Sequence, residues 1–214
     1  MKFLLFLQII LFIQSTSAQQ SKLSKAVNNI SEYLASDQFI NLKNIIGDIA
    51  ATDSIYKQAL DLTGNDYAEA LLALMFATVP YRKVPIQLPL VNIIIYYPLT
   101  SADEKTFLHK NENLPRYFFL DSPDNEYGDK DKLAHFFGSA FLSYQSHIFD
   151  LGELIGYFVE AFEESFKVQS AIDHRDLHVN EYGRLFGKIL QKDKSIMPSQ
   201  LLLLRSFSFI RIIL

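Results

Sequence analysis

The sequence predicts a mainly α protein, a helical bundle interrupted in its middle by a short β-ribbon or an extended apolar strap. Three observations carry this reading. Apolar residues recur at threes and fours from Lys22 to Ala77 and again beyond Lys130. Between these regions, Pro80, Pro85, Pro89 and Pro98 surround the β-branched run from Val91 to Ile95, and proline excludes a helix interior. Finally, 49% of the residues are hydrophobic, enough for a chain of this length to bury a real core.

The first eighteen residues, MKFLLFLQIILFIQSTSA, carry one Lys, an apolar run from Phe3 to Ile13 and a small-residue exit at Ser17 and Ala18. This is the pattern of a secretory signal peptide, with cleavage expected before Gln19 and an uncleaved N-terminal anchor as the alternative. Removing Lys2 leaves 19 Lys and Arg against 24 Asp and Glu, a net charge near −5 for the exported part. A basic excess that would favour nucleic acid is therefore absent. The chain has no cysteine, so the expected exported form has no disulfide and no cysteine at the cleavage site to carry a lipid. Export without cysteine leans towards a bacterial periplasm or outer-membrane face.

Residues 19–80 read as an N-terminal helical region of three or four short helices, in the stretches KLSKAVNNISEYL, QFINLKNIIGDIA, SIYKQALDL and DYAEALLALMFA. Breaks are expected at Ser36 and Asp37, at Thr52 and Asp53, and at Thr63 to Asn65, all good capping and turn residues. Residues 81–128 form a Pro-rich extended segment and a polar loop. If the segment is a strand it needs a partner edge. The other β-rich piece is RYFFL, residues 116–120, which would pair with it across the loop TSADEKTFLHKNEN. The cluster DSPDNEYGDKD carries oxygen ligands at the wrong spacing for a calcium loop and reads as a solvated turn. A second helical unit, 129–192, holds helical stretches at about 130–149, 151–168 and 174–191. Residues 193–214 are expected to be a linker and an apolar tail, too short to span a bilayer, that is a docking helix, an interfacial segment or a truncated end.

The second unit concentrates polar groups at one-turn spacing. Asp131 and His135 share one helix face, Glu160 precedes Glu163 by three residues, and Asp176, Asn180, Gly183 and Gly187 form a single stripe. Each glycine costs about 1 kcal/mol against Ala in an exposed helix, so the stripe implies close approach of another helix. Simpler roles compete with a site. Asp131 also serves as an anion at a helix N-terminus, and His135 as a hydrogen-bonded core histidine. Glu153, Gly156, Glu160, Glu164 and Lys167 also trace the wet face of an amphipathic helix, and Asp173 suits a cap. Residues 150–176 nevertheless hold seven acidic groups against Lys167 and Arg175. Such crowding calls for a cation, either Lys132 with His135 or a divalent metal. Candidate ligands are Asp131, His135, Glu160 and Asp176, an oxygen-rich set with one imidazole that suits Mg, Mn or Zn alike. His174 and His178 are a second pair four apart, but without the glutamate of a zinc-protease motif they read as surface residues. No phosphate loop, nucleophile elbow or cysteine nucleophile is present.

The frame Asp131, Lys132, His135, Phe136, then GSAFLS, then Glu160 and Glu163, then Asp176, Asn180, Gly183 and Gly187 resembles the YfiM-like family of exported bacterial proteins. More distantly it resembles the VanZ-like family associated with glycopeptide resistance. The likeness covers about residues 129–190 and implies an envelope location and a polar set acting together. It implies no reaction, and the missing cysteine departs from the lipid anchor of the exported relatives. Three functions follow as expectations. The first is an envelope protein whose network holds three close helices together, with Lys132, Asn180, Gly183 and Gly187 as structural members. The second is a hydrolase or transferase at the membrane surface, with carboxylates on a divalent metal and His135, Glu160 and Glu163 as catalytic candidates. The third is a module whose strap and tail associate peripherally with lipid or an outer-membrane partner.

Overall fold

The computed structural model describes residues 22–88, 93–145 and 174–204. They form a mainly helical bundle with one two-stranded antiparallel sheet. Helix α1 covers residues 22–35 and buries Ala26, Val27, Ile30 and Leu34, the three-and-four spacing read from its sequence. Ser36 caps α2 (Asp37–Ile46), its hydroxyl accepting from the Phe39 amide at 3.2 Å. Gly47, at φ +84°, turns the chain into α3 (Asp48–Leu62). The expected break at Thr52 and Asp53 is thus corrected. Thr52 is buried in mid-helix with its hydroxyl on the Ile49 carbonyl at 2.6 Å. Asp53 instead accepts from the Ser199 amide and hydroxyl, at 2.8 and 2.7 Å. Thr63, Gly64 and Asn65 do end α3, the last two with positive φ, and Asp66 caps α4 (Tyr67–Thr78) by accepting from the Glu69 amide.

Helix α4 is buried from Ala73 to Thr78 without interruption, as expected of a helix at the centre of a bundle. The Pro-rich segment after it is a hairpin, β1 (Lys83–Leu88) against β2 (Ile93–Pro98), with Ile86 opposite Ile95. Both strands are edges, which is why Pro85 and Pro98 are tolerated in them. The partner edge therefore lies inside the segment, and the expected pairing with residues 116–120 is corrected. The Arg116 and Tyr117 amides donate to the Asp48 carboxylate at 2.9 and 2.8 Å, while Phe118 and Phe119 are buried as a loop. The stretch read as a connecting loop is also corrected, because α5 (Glu104–Asn113) occupies it, capped by Asp103 on the Thr106 amide.

Helix α6 (Lys132–Gln145) packs against α4 on one side and against α7 (His174–Lys192) on the other. The short helix α8 (Pro198–Leu202) docks on α3 and α7. One hydrophobic core runs through both halves of the chain, from Ala26 to Leu202. At its centre Phe186 meets Tyr56 edge-on at 5.5 Å and Phe136 at 5.3 Å. No helix among the described residues is long and apolar enough to cross a membrane. The expected signal peptide, the helix at 151–168 and the end of the tail beyond residue 204 lie outside the described residues.

Candidate functional site at the junction of the two parallel helices

The loop before α6 is built to deliver its first residues to α7. The Asn125 side chain accepts from the Tyr127 and Gly128 amides, and Gly128, at φ +55°, sits where a Cβ would strike the Arg116 carbonyl. Next, Asp129 is fully buried, accepting from the Ser122 hydroxyl and from Arg175 of α7 at 2.7 Å. Burial raises the Asp129 carboxyl above its ordinary value, against the pull of Ser122 and Arg175. The Asp131 carbonyl then accepts from the His135 amide at 3.2 Å, so Asp131 stands at the start of α6.

From this point α6 and α7 run parallel and meet rung by rung. At the top, the Lys132 ammonium lies 2.5 Å from Asp176 and 3.1 Å from Asp131. One turn down, His135 Nδ1 is 3.3 Å from Asn180 Oδ1, which also accepts from the Ser139 hydroxyl at 2.9 Å. Below that, Gly183 lies against the Phe136 carbonyl, and Gly187 against the Ala140 carbonyl and the Ser143 hydroxyl. A Cβ at either glycine would fall well inside the 3.0 Å that real side chains keep. At the bottom, Ser143 donates to the Arg184 carbonyl at 2.8 Å and Gln191 donates to the Ser143 and Tyr144 carbonyls. The glycine stripe read from the sequence therefore marks a close helix approach.

Electrostatically, the top rung carries two carboxylates at the N-terminal ends of two parallel helices, where the aligned peptide dipoles favour negative charge. Burial alone would lower the Lys132 ammonium, but Asp131 and Asp176 outweigh it and hold its pKa above the ordinary value. His135 goes the other way. Burial lowers it below the ordinary imidazole value despite Asp176 and Asp131, so it is neutral near pH 7. With Asn180 Oδ1 accepting at Nδ1, the network assigns the proton to Nδ1 and leaves Nε2 as the acceptor nitrogen, 3.9 Å from Asp176. One ligand atom from each of Asp131, His135 and Asp176 lies within 4.8 Å of the other two. Among the described residues, these three can approach one cation.

Of the residues expected from sequence, the structure brings together Asp131, Lys132, His135, Asp176 and Asn180, with Gly183 and Gly187 below them. Glu160 and Glu163 lie outside the described residues. His178 is exposed. Several participants were missed. Ser139 continues the spacing from Asp131 and His135 by one more turn, a signal the sequence did contain. Asp129 and Arg175 have no such periodicity. Neither do Tyr81 and Tyr127, whose hydroxyls share a hydrogen bond near the top rung. Burial raises both phenols, and the carboxylates of Asp131 and Asp176 add to it. Comparison of the chain with protein-family models, with curated proteins and with solved structures finds no match.

Proposed function

We propose that this chain is an exported bacterial cell-envelope protein of the YfiM-like kind whose polar set is a structural lock. The lock holds α6 and α7 in close parallel contact and needs no bound metal. The observation that carries this reading is the Lys132 ammonium between Asp131 and Asp176, at 3.1 and 2.5 Å. It supplies from within the chain the cation that crowded carboxylates require. A buried charge held in this way is worth little compared with a well-packed apolar pair, but it is costly to break and therefore fixes one register. In this reading His135, Ser139 and Asn180 form a neutral rung that sets the rotation of the two helices. The apolar signal-like start and the cysteine-free exported part support an envelope location.

The proposal is tested on protein made with its own leader in a bacterial host and recovered from the periplasm. The N-terminus is expected at Gln19, and the urea unfolding midpoint should be the same before and after exhaustive chelation with EDTA. Failure to reach the periplasm would contradict export, retention of Met1 there would contradict cleavage before Gln19, and a midpoint that falls on chelation would contradict the metal-free lock.

A further inference from the structure

The top rung already holds a cation, and that cation is a side chain. The Lys132 ammonium is 2.5 Å from Asp176 and 3.1 Å from Asp131. Beside it stands His135, with its acceptor nitrogen 3.9 Å from the same Asp176 oxygen that binds the ammonium. The three ligand atoms of Asp131, His135 and Asp176 lie within 4.8 Å of one another. Ligands on a zinc ion at bonds of about 2.1 Å sit roughly 3.4 Å apart, so modest rotation of these side chains would close the set. A neutral imidazole fixed at Nδ1 by an outer partner, here Asn180, is the usual form of a metal-binding histidine. What separates this rung from a divalent-metal site is the ammonium that stands in it.

We propose that Lys132 is the cation-selecting residue of a latent divalent-metal site formed by Asp131, His135 and Asp176. Resting on the lock reading above, it says that the ammonium competes for the position a Zn2+ or Mn2+ ion would take, so the native chain keeps its own cation. Replacing Lys132 with a short neutral side chain vacates that position while leaving both carboxylates and the imidazole in place. The donor set, two oxygens and one imidazole, suits zinc and manganese and gives calcium no advantage. Because binding restores the missing positive charge between α6 and α7, metal should replace the ammonium structurally as well as chemically.

The test uses the full exported chain with Lys132→Ala and, as a milder change, Lys132→Gln. Unfolding is followed in EDTA and in Zn2+ or Mn2+, with metal affinity measured by calorimetry. In EDTA both variants should unfold at lower temperature than the native chain; equal midpoints would overturn the lock reading itself. With metal about a hundredfold above its Kd, the variants should regain roughly 5–10 °C while the native chain does not move. If neither variant is stabilised by metal, the latent site is refuted, while the lock is decided separately by the midpoints in EDTA. Stabilisation that survives in Lys132→Ala combined with Asp176→Asn would refute it equally, since the ion would then be bound elsewhere.

Discussion

Gly187→Ala is expected to destabilise the protein by about 3 kcal/mol, at the upper end of what adding one buried methyl group does. Ala is the better helix former, and in an exposed helix the change would gain about 1 kcal/mol. Here the added Cβ would meet the Ala140 carbonyl and the Ser143 hydroxyl well inside 3.0 Å. The carbonyl belongs to a helix backbone that packs on α4 behind it and cannot yield. The alternative is for α6 and α7 to separate, which would stretch the Ser143 bond to Arg184 and the two bonds from Gln191. Equilibrium unfolding in urea measures the loss. Gly64→Ala is the control, because Gly64 has a positive φ of +63° and nothing within 4 Å of a Cβ, so only backbone strain of about 1 kcal/mol is at stake. A Gly187→Ala loss no greater than the Gly64→Ala loss would mean that the helices are not in close contact.

The second large effect concerns Lys110, on α5. Its ammonium is almost completely buried and donates to the Val79 carbonyl at 2.7 Å and to the Asn111 side chain at 3.0 Å. It also lies 4.6 Å from the Phe107 ring centroid, with the Arg82 guanidinium 5.4 Å from that same centroid. Neither oxygen is charged, so burial dominates and lowers its pKa from 10.5 to about 7. The sign of the linkage follows. Between about pH 7 and 10.5 the unfolded chain binds the proton that the folded chain has lost, so stability rises with pH across this window. From pH 7 to 9.5 the Lys110 contribution is about 3 kcal/mol. Other groups titrate in the same range, so the readout is the difference between the native chain and Lys110→Met. The urea midpoint of the native chain should rise relative to the variant as pH increases. Parallel profiles would show that Lys110 keeps its proton in the fold.

These two positions also show what the sequence made legible. The Asp176, Asn180, Gly183, Gly187 stripe is periodic, and periodicity survives in sequence because each helix face is a local repeat. The close approach of a second helix was readable from it, and the break at Thr63 to Asn65 was readable from its turn-forming residues. Other features depend on partners far along the chain. Thr52 and Asp53 look like a helix break, but Thr52 is buried and Asp53 accepts from Ser199, and the helix runs intact through both. RYFFL looks like a strand, but Asp48 takes its two free amides and leaves it a loop. Lys110 gives no sign of burial, since α5 is polar on most of its surface and only the fold puts this residue beneath Val79. At the top rung, Asp131, His135 and Asp176 were legible as a group. The identity of the cation among them was left open between Lys132 with His135 and a divalent metal, because the choice turns on a distance of 2.5 Å that no pattern encodes.

The central claim is that an internal ammonium ties α6 to α7 through Asp176. A double-mutant cycle on Lys132→Met and Asp176→Asn, read by urea unfolding in EDTA, tests it most directly. Lys132→Met leaves two half-buried carboxylates without their ammonium, and Asp176→Asn leaves the buried ammonium with Asp131 alone, so each single change should cost up to about 3 kcal/mol, while the double variant should cost less than the sum by about 1 kcal/mol or more. Additive losses, within about 0.5 kcal/mol, would show that the two residues do not hold each other and would contradict the lock.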